Sequence, residues 1–370
     1  MQAIKLAVVV LSVVTHVFVW PTPPGIAQTR TPLRQQVNTG TIGLVSGGVN
    51  GTYIQVAADL ATVLDGVENL RILPIIGKGS AQNITDLLYL KGVDISIVQS
   101  DVLSYLSRQR VYGGLPKRVH YITKLYNEEL HLLAGEAIQS LQDLAGKKVN
   151  VGIDGSGTQI TASTIFDRLE IEVESTSFDQ SLALEKLKQG EIAGMIYVAG
   201  KPTRLFQHLE PESGIHFVPV PGSASLLDTY LPAVLTAEDY PGLIPPDSNV
   251  STVAVSAVLA VFNWNPNSPR YQNVARFVNA FFSRFDQFQQ PPRHQKWTEV
   301  SLTALVPGWT RFKAAETWLK QNRKTPEEEI KALFMKFLSD MTPASGTAPL
   351  TAEQRNLLFQ EFIRWQSQQQ

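Results

Sequence analysis

The chain of 370 residues is 44% hydrophobic and 18% charged, with Lys+Arg 32 against Asp+Glu 33 and a formal charge of -1. Without a basic excess, nothing draws it to nucleic acid. With Cys 0, it has no thiol nucleophile, zinc–thiolate site, iron–sulfur cluster or lipoprotein anchor. The length leaves room for two globular units with cores of their own.

Residues 1–27 differ from the rest. Lys5 is the sole charged residue ahead of Arg30, Leu6–Trp20 is a largely apolar run, and Pro21, Pro23, Pro24 and Gly25 break it. A charge, an apolar stretch and then small residues is the layout of a secretory signal, too short for a comfortable membrane span. The alternative is an uncleaved N-terminal anchor. Export of a chain without disulfides points to a bacterial periplasm.

After this segment, short β-rich runs alternate with helical stretches. "TIGLVSG", "LRILPIIG", "VDISIVQSD", "HLLAGE", "KKVNVGI", "GMIYVAG" and "IHFVPVP" read as strands bounded by Gly, Asp or Pro. Between them, Ile54–Leu64, Ser80–Leu90, Thr158–Leu169 and Ser181–Gln189 carry helical apolar spacing. The alternation predicts an α/β protein with mainly parallel sheets. Val250–Asn263 is a further β-branched and alanine-rich run, expected either to return to the first sheet or to belong to a second lobe.

The tail changes character. Thr325-Pro326-Glu327-Glu328 and Thr351-Ala352-Glu353-Gln354 each look like a capping-box helix start. "TPASGTAP" between them reads as a linker, and Leu358, Phe362 and Trp365 form one helical stripe that either packs on the body or docks a protein partner.

Nucleotide motifs fail. Gly47–Tyr53 holds no lysine for a phosphate-binding loop, Gly200-Lys201 is followed by Pro202, and Gly43, Gly47, Gly48 and Gly51 are wrongly spaced for a dinucleotide fingerprint. The six histidines, His16, His120, His131, His208, His216 and His294, include no H-x-x-x-H pair, and Gly155-Ser156-Gly157 is no nucleophile elbow. No catalytic residue, cofactor or metal is therefore expected.

What remains is a pair of glycine–hydroxyl loops. Gly51-Thr52-Tyr53 and Ser156-Gly157-Thr158 each follow a predicted strand and open a predicted helix. Either can be a plain helix cap. Together, on separate lobes, they suggest an anion gripped from both sides of a cleft by backbone N–H groups.

From "TIGLVSGGVNGTYIQVAADLA" through "GKGSAQNITDL", "VDISIVQSD", "SLQDLAGKKVNVGIDGSGTQITA", "GEIAGMIYVAGKP" and "VSTVAVSAVL", the chain resembles the TAXI family, the extracytoplasmic solute receptors of TRAP transporters. The resemblance runs from about Thr41 to about Leu319, and the tail beyond about Gln321 exceeds the family pattern. It implies a type II periplasmic-binding-protein fold, with two α/β lobes around a ligand cleft and here an α-helical C-terminal extension. Lobe 1 would begin at 38–130, lobe 2 would span 131–225, residues 226–319 would return to lobe 1, and 320–370 would form the extension.

The resemblance also implies a small carboxylate ligand such as glutamate, TRAP membrane permease subunits as partners, and no enzymatic activity. The family's ligand loops map onto Gly51, Thr52, Tyr53, Gln99, Ser100, Asp101, Ser156, Gly157, Thr158, Ala199 and Gly200. Thr52 and Thr158 would hold carboxylate oxygens, Tyr53 would be a wall or a core residue, and Gln99 would donate. Asp101 would accept from an ammonium or cap a helix. Lys78, Lys124 and Lys201 are candidate counter-ions. A ligand-sensing or adaptor protein on the same fold is the alternative function.

Overall fold

The computed structural model describes residues 38–210 and 214–322, together with Phe334, Thr351, Glu353, Leu358 and Phe359. The signal-like segment 1–27, the cap at Thr325–Glu328, and Phe362 and Trp365 lie outside the described residues.

Strands β1 (Thr41–Val45), β2 (Arg71–Ile75) and β3 (Ile95–Gln99) form one parallel edge of a single sheet, with β1 between β2 and β3. Helix α1 (Thr52–Leu64) follows β1, α2 (Ser80–Tyr89) follows β2 and α3 (Val102–Arg108) follows β3. The other edge is also parallel: β5 (Lys148–Asn150) lies between β6 (Glu174–Thr176) and β7 (Gly194–Ala199). There α4 (Gly157–Leu169) follows β5 and α5 (Gln180–Lys188) follows β6. Each predicted helix start falls within two residues of the observed one, because Gly or a polar residue marks the boundary and the apolar spacing begins just after it.

Between the edges run two long antiparallel strands, β4 (Val119–Gly135) and β10 (Asn249–Phe262). The C-terminal part of β10 pairs with β3 through Ala257–Val261, and its start pairs with β9 (Leu231–Thr236). The end of β4 pairs with β7 and with β8 (Ile215–Phe217). Two chain segments therefore pass from one half of the sheet to the other. Their register shifts between Ser256 and Val258 and again between Leu259 and Ala260.

This centre departs from the expected mainly parallel sheet. "HLLAGE" is the last part of the 17-residue β4 rather than a separate strand. Lys124, Asn127, Glu128 and Glu129 interrupt its apolar run, so the pattern shows only its end. The long run at Val250–Asn263 does return to the first half, through β3.

Side chains alternate across each half. On one face of the first half, Ile42, Leu44, Ile95 and Ile97 pack with α1 and with α6 (Pro269–Ser283), whose Phe277 and Phe281 are fully buried. Val45 and Val98 face the opposite cluster with Leu103 and Val258. In the second half, Leu130, Leu132 and Ile196 pack against α4, while Leu133 and Met195 face α5. Full burial of one such Leu or Phe is worth ~1.5–3 kcal/mol, so each half carries enough apolar material to hold without disulfides. Helix α7 (Lys313–Gln321) packs on α6, with Trp318 edge-on to Phe282.

In the tail, the buried rings of Phe334 and Phe359 pair at 5.4 Å, while Leu358 is exposed. Neither phenylalanine belongs to the stripe read from the sequence.

Candidate ligand-binding site

A cavity of about 320 Å³ lies where the helix N-termini of both halves meet. Its wall combines the loop Gly47–Tyr53, Lys78–Ser80, Gln99, Glu128, Ile153, Ser156–Thr158, Asp179–Gln180 and Tyr197–Ala199. Every loop on this wall follows a strand carboxyl end and opens or precedes a helix, the usual place for a ligand in an open α/β sheet.

Helix α1 begins after Gly51, which has no side chain to cap it, so the first N–H groups of the helix stay unspent. Helix α2 begins after Gly79, at φ +111, again without a side-chain cap. That left-handed backbone favours glycine, and a Cβ there would sit 3.3 Å from the Gly157 nitrogen. Gly157 opens α4, and a Cβ on it would collide with Gln99 Oε1 and meet Ser80 Oγ at 2.7 Å. Glycine at these positions lets the starts of α2 and α4 abut. Ser156 caps α4 by accepting from the Gln159 N–H at 3.2 Å, and Asp179 caps α5 by accepting from Ser181 and Leu182. The cavity thus receives the positive ends of α1 and α4, while α2 spends its Ala81 and Gln82 N–H groups on Gly155 O and the N-terminus of α5 is already neutralised by a carboxylate.

Hydrogen bonds join the halves around this cavity. Asn50 Nδ2 donates to Ser181 Oγ at 2.8 Å, the N–H groups of Ala81 and Gln82 both reach Gly155 O at 3.1 Å, and Thr52 Oγ1 donates to Gly200 O at 3.3 Å.

Eight of the residues singled out from the sequence line the cavity: Gly51, Thr52, Tyr53, Gln99, Ser156, Gly157, Thr158 and Ala199. Ser100, Asp101 and Gly200 stand behind its wall. Ser100 donates its N–H to Ser256 O and accepts from Trp309 Nε1. The side chain of Asp101 caps no helical N–H, although the residue precedes α3. Its Oδ2 instead accepts from Thr161 Oγ1 at 3.1 Å and Tyr230 OH at 3.3 Å, and Oδ1 has no partner. Burial pushes its pKa up to about 6. Thr158 Oγ1 accepts from the Val198 N–H at 3.1 Å, which ties α4 to β7 and leaves the hydroxyl proton to donate elsewhere.

Of the three lysines weighed, Lys78 alone is on the wall. Lys124 bonds Asn127 Oδ1, and Lys201 pairs with Asp239.

Sequence reasoning missed Glu128, Tyr197 and Gln180. Glu128 is 3% exposed, and its Oε2 accepts from Tyr53 OH at 2.6 Å. Burial raises its pKa to about 8, with help from Glu129 and Asp101 and against Tyr53 and Lys296. The neighbouring Glu129 is paired: its Oε1 takes the buried Lys296 Nζ at 2.7 Å and its Oε2 the Lys201 N–H at 2.8 Å. Lys296 also reaches Glu299 at 2.7 Å. Gln180 donates to Ile196 O through Nε2, and its buried Oε1 has no partner. The available signal was "NEEL", an acidic doublet inside the apolar run of β4. Among the described residues, no group of three or more His, Asp or Glu is placed to hold a metal ion, and no helix is long and apolar enough to cross a membrane.

The sequence profile of the NMT1-like family matches residues 44–308, which include every strand from β1's last residues through β10 and the whole cavity wall. The chain belongs to the NMT1-like family. Among solved structures, it is similar to an ancestral arginine-binding protein bound to arginine, at 15% identity and TM-score 0.46 over 70% of this chain and 98% of that one. It is similar to the periplasmic binding protein BugD at 12% identity and TM-score 0.48, over 76% of this chain and 93% of that one. A third is the substrate-binding protein of an amino acid ABC transporter, at 10% identity and TM-score 0.41, over 76% of this chain and 100% of that one.

Proposed function

We propose that this NMT1-like protein is a periplasmic solute receptor of the TAXI type, which binds a small carboxylate and presents it to TRAP membrane subunits for ion-gradient-driven uptake. The observation that carries the reading is the meeting of two helix N-termini on one cavity, those of α1, which has no side-chain cap, and of α4. Backbone N–H groups aimed into an enclosed space favour an anion, and the single wall lysine, Lys78, adds a positive charge at the rim. A carboxylate fits a space of about 320 Å³ and needs no metal. The halves of the sheet serve as the two lobes, and we place the crossings in β4 near Glu128–Leu130 and in β10 near Ala254–Val258, where pairing passes from one half to the other. We read the role as that of a receptor from the hydrogen-bonding groups that the wall presents.

A thermal-shift screen over amino acids and organic acids tests this. A cognate carboxylate at ~100 times its dissociation constant should add roughly 2.7 kcal/mol of stability. A screen in which acids shift nothing while a sugar or nucleotide does would overturn the reading.

A further inference from the structure

The cavity has a second pole, opposite in chemistry to the helix N-termini. Glu128 lines it, is 3% exposed, and makes one side-chain hydrogen bond, from Tyr53 OH. Among the described residues it has no cationic partner of its own, since the nearby Lys296 is held between Glu129 and Glu299. On the same wall, Gln180 Oε1 is a buried acceptor without a donor. A buried carboxyl facing a cavity without a counter-ion, on a wall that also holds an unfilled amide oxygen, calls for a group rich in N–H donors.

We propose that Glu128 receives an ammonium group of the solute, so that the ligand is an amino acid rather than a plain organic acid. This rests on the carboxylate reading above: the helix N-termini take the acid end and Glu128 takes the amine. An ammonium offers three donors, which Glu128 can accept through the oxygen that Tyr53 OH leaves unfilled.

Before a cation binds, a proton offsets the burial of Glu128. Glu128 is surrounded by Tyr53 from α1, by Tyr126 and Glu129 of its own strand, and by the fields of Asp101 and Lys296. The acidic neighbours and burial outweigh Lys296 and raise its pKa to about 8. At neutral pH the carboxyl therefore holds its proton until a cation arrives. Binding of an ammonium then expels that proton to solvent, the carboxylate and the ammonium remaining as an ion pair. Affinity for an amino acid should accordingly rise with pH up to about 8 and level above it.

The test uses the full chain in calorimetric titrations with the common L-amino acids and with their des-amino counterparts, such as L-glutamate against glutarate and L-leucine against 4-methylpentanoate. An amino acid is expected to bind at least about tenfold more tightly than its des-amino partner, as for a hydrogen-bonded charge. In buffers of different ionisation enthalpy, its binding should release close to one proton at neutral pH. Glu128→Gln should abolish the proton release and most of the preference. The comparison of ligand pairs on the parent protein stands even if that variant folds poorly. Equal affinity within a pair, or binding without proton release, overturns the ammonium inference while leaving the carboxylate reading intact. Failure of every carboxylate to bind removes both.

Discussion

At the scale of single residues, the structure divides one set of hydroxyls into different tasks. Thr158 lies on the cavity wall, and its oxygen also satisfies the buried Val198 N–H. Thr158→Val should leave that donor unpaired and cost ~1–3 kcal/mol. Thr158→Ser should restore most of it, which denaturant midpoints for the two variants would show; equal midpoints for Val and Ser would dismiss the bond. Ser156 is a helix cap as well as a wall residue, so the capping role read from the sequence does not take it away from the cavity. The Asp101 position was legible, but its environment was not. The partners Thr161 and Tyr230 come from elements 60 and 129 residues away, and no local pattern announces them. Glu128 was overlooked for a related reason. An acidic doublet in a strand reads as a solvated interruption until the neighbouring strands are seen to cover it.

At the scale of elements, glycine decides how closely helices approach. The starts of α2 and α4 abut because Gly157 has no Cβ to strike Gln99 and Ser80. Gly157→Ala should push these groups apart and destabilise by ~1–3 kcal/mol, as overpacking does. Gly48→Ala, on the same wall but with nothing within 4 Å of the added atom, is the control and should change stability by less than ~0.5 kcal/mol. Urea unfolding of the pair reads this directly; similar losses would show that general backbone effects and not the α2–α4 contact are responsible. The helices themselves were legible, since Gly51, Gly79 and Ser156 each punctuate a strand-to-helix turn and the apolar spacing follows at once. The strands were read less well. β4 hides its length behind Lys124, Asn127, Glu128 and Glu129, which the strands around it bury or satisfy only in the folded sheet.

At the scale of the molecule, two buried titrating groups tilt stability in opposite directions. His131 is fully buried, with its Nδ1–H donating to Tyr197 O and Nε2 accepting from Tyr240 OH, and burial lowers its pKa from 6.5 to about 4. The unfolded chain takes that proton first, so stability is lost as pH falls from 6.5 towards 4. Glu128 behaves oppositely. Its folded pKa, raised from 4.5 to about 8, gives stability that is full at low pH and is lost as pH rises through that window in the ligand-free protein. Relative to the parent, Glu128→Gln should therefore gain stability steadily from pH 5 to 8, at ~1.4 kcal/mol per unit at most. Melting scans across this range check it, and a constant offset between the two proteins would refute the buried proton.

Composition, apolar period and turn residues by themselves determined that this is an α/β protein and where four of its helices begin, because those depend on neighbours a few residues apart. The central antiparallel pair of β4 and β10, the meeting of two helix N-termini and the placing of Glu128 against Tyr53 were decided only by tertiary structure. They join segments up to 143 residues apart (Val119 with Phe262), and burial, which gives an acid its meaning, is a property of the packed chain rather than of the residue.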